Sequence, residues 1–281
     1  MRDIHVDTIR ETLARLCIEA THVLPEDVRA GLRQAEAIER APLAKQVLIE
    51  LMDNFDIAER NMIPLCQDTG TTVVFVELGQ DAHIIGGSLE EAINAGVGQG
   101  YTEGFMRASM VAHPLTSRVN SGNNTPAVIH YDIVPGDQLH LKVLPKGGGC
   151  ENMSRYANFL PRAGKDAVIE FLLRTVEESG GNPCPPLIIG VGIGGTSEYA
   201  MGLAKKAVTR GVGSHSDDPE IAALEAEMLE KVNALGIGAQ AVGGVTTALA
   251  VHVLTHPTHI TALPVGINIQ CHSARLKEAT L

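Results

Sequence analysis

The chain has no tryptophan, and aromatic residues make up only 3% of its 281 positions. Its core must therefore be built from Ala, Val, Ile and Leu, and it offers few platforms for base stacking. Basic residues are scarce too. Lys and Arg number 22 against 33 Asp and Glu, a net charge of −11 with no basic stripe. That balance argues against nucleic acid and gives no reason to expect an anionic membrane surface. An anionic ligand would need a local cationic pocket working against the overall field. No window is apolar over the length needed to span a bilayer. The opening stretch Met1–Asp7 is charged and lacks the apolar segment of a secretory signal, so the expected compartment is the cytoplasm. No CxxC pair occurs, which removes zinc ribbons, thioredoxin-like motifs and ferredoxin-type runs. The cysteines number five, and an odd count argues against a disulfide framework in that compartment.

What is present is the composition of a soluble globular chain, 44% hydrophobic and 20% charged. The length suits one large domain or two moderate ones. A helical region is expected over about residues 1–62. Its first helix runs from Asp3 to Thr21, with Cys17 on the apolar side beside Leu13 and Leu16. A second starts at Pro25-Glu26-Asp27. A third starts at Pro42, carries Leu43, Val47, Leu51 and Phe55 at helical spacing, and ends near Asn61. Thr72–Leu78 reads as a buried strand, and Ser88 as the N-cap of a helix extended through Tyr101 to Arg107. Val128–Val134 and Gln138–Leu144 read as a hairpin around Pro135-Gly136-Asp137. Further on, Gly164–Ser179 and Pro219–Leu235 read as helices, and Leu187–Val191 and Ala248–Leu254 as strands. The fold class is mixed α/β, of the α+β kind. Gly190, Gly192 and Gly195 spell GxGxxG. The first glycine lies inside a strand, however, and the acid about 20 residues on, Asp217, sits in a loop, so a tightly packed strand–turn–helix is the better reading than a dinucleotide site.

The chemistry concentrates in a few irregular stretches. Cys66-Gln67-Asp68-Thr69-Gly70 puts a thiol, an amide, a carboxylate and a hydroxyl on consecutive residues between a helix and an apolar strand. Asn120 to Thr125, within Arg118–Pro126, is either a plain turn or a set of amides aimed at a carboxylate. Lys146-Gly147-Gly148-Gly149 after a strand lets backbone wrap closely round an anion. Prolines flank Cys184 and fix its backbone, and Cys271 closes the run Gly266-Ile267-Asn268-Ile269-Gln270. Cys66, Cys184 and Cys271 all sit among Pro, Gly and polar residues instead of on an apolar face. Three such thiolates suit zinc, or three irons of a [4Fe–4S] cluster whose fourth iron stays open.

CQDTG at Cys66–Gly70, VNSGNN at Val119–Asn124, KGGG at Lys146–Gly149, CPP at Cys184–Pro186, IGGTSE at Ile193–Glu198 and GINIQC at Gly266–Cys271 occur in the order found in the iron–sulfur fumarases. The chain resembles these class I fumarate hydratases, with L-tartrate dehydratase as a close relative, over nearly its whole length. It looks like the α subunit of the two-subunit form, a single catalytic region over residues 1–281. The resemblance implies that Cys66, Cys184 and Cys271 ligate three irons of a [4Fe–4S] cluster. It implies that Gln67, Arg107 and Gly149 contact substrate, Arg107 through a carboxylate, and that Asp68 and His259 act in catalysis. The implied reaction is fumarate to L-malate, a step of the tricarboxylic acid cycle, carried out with a β subunit in a heterotetramer of two α and two β. Cys150 departs from the pattern: Ser usually follows KGGG in single-chain fumarases, whereas tartrate dehydratase-like α subunits can carry Cys, so the substrate stays open between fumarate and L-tartrate. A zinc protein and a non-catalytic anion-binding subunit are the alternatives from other classes.

Overall fold

The computed structural model describes residues 2–281. In chain order it begins with β1 (Arg2–His5), α1 (Val6–His22), α2 (Glu26–Ile38), α3 (Pro42–Asn61), β2 (Thr71–Gly79), β3 (Ala82–Ile85) and α4 (Leu89–Glu103). There follow β4 (Val128–Val134), β5 (Leu139–Lys146), the single turn α5 (Gly148–Glu151), β6 (Arg155–Phe159), α6 (Gly164–Ser179) and β7 (Leu187–Gly195). The chain closes with α7 (Ser197–Ala207), α8 (Pro219–Ala234), β8 (Ala248–Thr258), β9 (Leu263–Gln270) and β10 (Lys277–Thr280). Helices and strands alternate irregularly and the sheets are mixed, so the expected α+β class is what is observed. The chain divides into two compact units. One comprises the N-terminal residues up to Leu24, Asn54–Gly148 and Arg275–Leu281; the other comprises Pro25–Asp53 and Gly149–Ala274.

In the first unit a four-stranded sheet runs in the order β10-β5-β2-β4, with β2 parallel to β4 and antiparallel to β5. The expected β4–β5 hairpin is therefore corrected: β2 lies between the two strands. The Pro135-Gly136-Asp137 turn instead spans the end of β2, where Gly79 N donates to Gln138 O and Gln80 N to Val134 O. Thr72–Leu78 was rich enough in β-branched residues to take the central, doubly buried place. Helices α1 and α4 pack on each other at Gly96 and Gly100, where an added Cβ would lie 2.5 Å from Arg10 O and 2.7 Å from Ala14 O. The core joins Ile9, Leu13, Leu16 and Cys17 to Ile93, Val97, Val74, Val76, Leu141 and Val143. Cys17 is thus the core cysteine expected, and burial pushes its thiol up to about 12.

Two helix boundaries shift. Arg2–His5 is a strand paired in parallel with β3, so α1 starts at Val6, where the His5 ring accepts from Asp7 N. Helix α4, capped by Ser88 as expected, stops at Glu103 and not at Arg107, because Phe105 takes a left-handed φ of 52°. In α3 the buried stripe is Ala44, Leu48, Phe55 and Ala58, and Leu43 is exposed.

In the second unit the sheet order is β6-β9-β7-β8, with β7 parallel to β8 and antiparallel to β9. Strands β7 and β9 are buried, as inner strands should be; β9 turns Leu263, Val265, Ile267 and Ile269 to one face and buries Asn268 and Gln270 on the other. The glycines of β7 admit α7 at backbone contact. A Cβ on Gly190 would lie 2.0 Å from Ala204 O, and one on Gly192 2.0 Å from Ala200 O. The GxGxxG pattern is a packing device here, and β7 runs on to Gly195 instead of ending at Val191.

Candidate active site

In the first unit the segment 62–70 leaves α3 and enters β2. Asn54 Nδ2 donates to Leu65 O and Leu65 N to Thr21 O, which anchors it at the start. Gly70 has φ +79°, and a Cβ there would lie 2.7 Å from Lys146 N, so the CQDTG turn passes against the end of β5 only because this residue is glycine. Three consecutive carbonyls of the turn are taken by side chains from distant parts of the chain. Arg275 Nη1 donates to Asp68 O, Tyr101 Oη to Thr69 O at 2.6 Å, and Asn124 Nδ2 to Gly70 O at 3.0 Å. Burial holds the Tyr101 phenol well above its ordinary range, so it remains a donor. The Asp68 carboxylate then accepts Gly70 N at 2.9 Å and Gly148 N at 2.8 Å, the second from the KGGG run. Such charge-assisted bonds fix its orientation while leaving each oxygen a further lone pair.

The neighbouring predicted residues are less constrained. The Cys66 thiol reaches Gln67 Oε1 at 3.3 Å, and both lie at or near the surface. Arg107 is exposed on the loop after α4, and its carbonyl accepts Thr69 Oγ1 at 2.7 Å. Lys146 ends β5 with only 1% of its surface exposed. The VNSGNN loop resolves to the turn reading. Asn120 Oδ1 accepts from Gly122 N, Asn123 Oδ1 from Thr125 N, and buried Asn124 bridges Ser109 N and Gly70 O.

The second unit brings Cys184 and Cys271 together. Cys184 is exposed with a left-handed φ of 55°, and its carbonyl accepts from the backbone N of His272, the residue after Cys271, at 3.4 Å. His272 Nδ1 lies 2.8 Å from the same carbonyl. The same ring nitrogen lies 3.0 Å from Gln240 Nε2. Gln240 closes the arrangement, its backbone N and Nε2 both donating to Pro185 O at 2.9 Å. Cys271 is 7% exposed and packs into the core of this unit with Cys150 at 3%, a correction to the expectation that it lies off any apolar face. Gly149 approaches Asn182 O, where a Cβ would stand 3.1 Å away, two residues before Cys184. His259 is exposed just beyond β8, with Nδ1 2.8 Å from Thr261 Oγ1. It lines a cavity of about 410 Å³ walled by Pro161, Val168, Ile193, Ile260 and Leu263. Among the described residues the hydrogen bonds of its ring are with Thr261 alone.

None of the five cysteines is in a disulfide. Among the described residues no three His, Cys, Asp or Glu side chains gather into a group that could hold a metal ion, the arrangement the zinc reading requires. A cluster places each thiolate on a different iron and so keeps its cysteines farther apart than a mononuclear ion does. The exposed Cys184, whose carbonyl meets the backbone of the residue after Cys271, fits that donor set. Sequence reasoning missed Arg275, Tyr101, Gln240 and His272. The only signal for Arg275 was a charge four residues after Cys271.

The sequence model of the family described as fumarate hydratase (fumerase) matches residues 10–280. The chain is 41% identical over 274 residues to a putative L(+)-tartrate dehydratase subunit alpha of Methanocaldococcus jannaschii, covering 95% of each protein. It is 30% identical over 274 residues to the L(+)-tartrate dehydratase subunit alpha of Escherichia coli strain UTI89, covering 96% of this chain and 89% of that one. In strain K12 the protein of the same name is 29% identical. The chain belongs to the fumarate hydratase family and is a hydro-lyase, an enzyme that adds or removes water. The reading as a non-catalytic anion binder is thereby set aside. No helix among the described residues is long and apolar enough to cross a membrane.

Proposed function

We propose that this chain is the α subunit of a cytoplasmic iron–sulfur hydro-lyase that interconverts fumarate and L-malate with a β subunit, as a heterotetramer of two α and two β. The observation that carries the reading is the carboxylate of Asp68, two residues after Cys66, fixed by N–H groups from its own turn and from the KGGG run. A carboxylate with open lone pairs on a clamped backbone is the group needed to take a proton from carbon next to a carboxylate. The thiolates of Cys66, Cys184 and Cys271 would hold a [4Fe–4S] cluster, which when bound supplies a Lewis acid for the C–O bond. Asp68, with a group from the β subunit, handles the C3 proton. Arg107 pairs with a substrate carboxylate, for which its fork is better suited than an ammonium. Gln67 and the Gly149 backbone contact substrate, and His259 serves the hydroxyl or a carboxylate.

A second reading, L-tartrate to oxaloacetate, is favoured by the names of the relatives at 41% and 30% identity and by Cys150 after KGGG. L-malate and L-tartrate are both four-carbon 2-hydroxydicarboxylates and ask the same of these residues. The test is anaerobic co-purification with the subunit that binds this chain, iron and sulfide analysis, then fumarate/malate and L-tartrate turnover side by side. Iron, sulfide and fumarate turnover are the expected result. Tartrate preference moves the assignment to the second reading, and no iron after reconstitution sinks both.

A further inference from the structure

The Asp68 turn is held in part by a buried cation that forms no ion pair among the described residues. Arg275 is 2% exposed, and its one hydrogen-bond partner is the Asp68 carbonyl, which takes Nη1. Its Nε is buried with no partner, and no Asp or Glu forms an ion pair with the guanidinium among the described residues. Arginine stays protonated at any working pH. A cation removed from water is costly unless an anion meets it, and a peptide carbonyl is only a partial answer. The same side chain holds the residue that carries the proposed base, two positions after a proposed thiolate.

We infer that Arg275 is the counter-charge for an anion bound at the Cys66–Asp68 turn: one N–H positions the Asp68 backbone, and the remaining donors serve the ligand's negative charge. This rests on the hydro-lyase reading above. The anion has two sources in that reading, a carboxylate of the substrate or the net negative charge of a thiolate-ligated cluster. Lysine would not serve, because a point charge lacks the fork that lets one group take a carbonyl and an anion together.

The test uses the complex of this chain with its β subunit, as wild type, Arg275→Met and Arg275→Gln; Gln keeps a donor for Asp68 O and loses the charge. Succinate affinity is read from the rise in Tm of the cluster-free complex, and the midpoint potential and iron content after reconstitution. If the substrate carboxylate is the partner, both variants lose on the order of tenfold or more in succinate affinity. If the cluster is the partner, succinate affinity holds and the potential moves to more negative values, because the reduced cluster loses a nearby cation. Both variants matching wild type in affinity, potential and iron would overturn the inference. So would failure of both to accumulate as folded cluster-free complexes, since that makes Arg275 a structural residue. A wild type that takes up no iron and ignores succinate sinks the functional reading itself.

Discussion

Asp68 is where a single atom decides most. Its two oxygens accept one backbone N–H each, from Gly70 and Gly148. An amide at this position has one acceptor and one donor, so Asp68→Asn sets an NH₂ against one of those N–H groups as well as removing the base. Turnover is expected to fall by about 100-fold or more with the cluster still present, because general-base catalysis contributes about that much. Turnover within threefold of wild type would take Asp68 out of the chemistry. The cysteines make a second contrast. Cys66→Ser, Cys184→Ser and Cys271→Ser should each leave less iron than wild type and little turnover. Cys17→Ala, in the core at 0% exposure, should instead cost about 1–2 kcal/mol of stability with iron unchanged. Full iron in all three ligand variants would end the ligand assignment. The thiols and Asp68 were visible in the sequence because polar groups crowded a short junction. Arg275, Tyr101 and Asn124 were not, since each acts through hydrogen bonds to the turn from 31 to 207 positions away, and no local spacing encodes such a bond.

At the scale of elements, legibility followed how local the deciding contacts are. The α6 helix fell where its periodicity placed it, and Ser88 caps α4 as its sequence suggested. The β4–β5 hairpin failed because strand pairing is non-local: a turn sequence between two β-branched runs does not reveal a third strand lying between them. The GxGxxG of β7 was separable from a dinucleotide site because its glycines lie inside the strand, and the structure gives the reason they must. On Gly192 an added Cβ meets only α7 at close range, Ala200 O at 2.0 Å and Ala204 N at 2.6 Å, so Gly192→Ala has to push helix from strand. A loss of more than about 3 kcal/mol is expected. Gly202, in α7 itself, has nothing within 4 Å of its Cβ position. Gly202→Ala should stabilise by roughly 0.5–1 kcal/mol through helix propensity alone. Denaturant midpoints of the two variants check both signs, and equal midpoints would contradict the close-packing account of β7.

For the whole molecule, the net charge of −11 would make a dicarboxylate dependent on local cations, and the proposed function looks for them in Arg107, Lys146 and Arg275. Alone it should show almost no turnover, and adding the β subunit should restore it; full activity of the isolated chain would remove the need for a partner. Acid stability follows from a group outside the proposed chemistry. His252 on β8 is 1% exposed, with neither ring nitrogen bonded to a described residue. Burial, with Arg210 and His215 nearby, lowers its pKa from 6.5 to about 4, against the opposing pull of Glu225 and Asp27. The folded state thus binds this proton less readily than the unfolded chain. The contribution is intact above about pH 6.5, and stability is lost as pH falls from there toward 4, by on the order of 3 kcal/mol at the low end. Carboxylates titrate over part of the same window, so the informative quantity is the difference between wild type and His252→Phe, which keeps a ring and removes the titration. Urea midpoints measured from pH 7 to 4.5 should fall more steeply for wild type, with the two curves diverging below about pH 6.5. Parallel curves would mean that His252 finds a partner for its proton inside the folded protein.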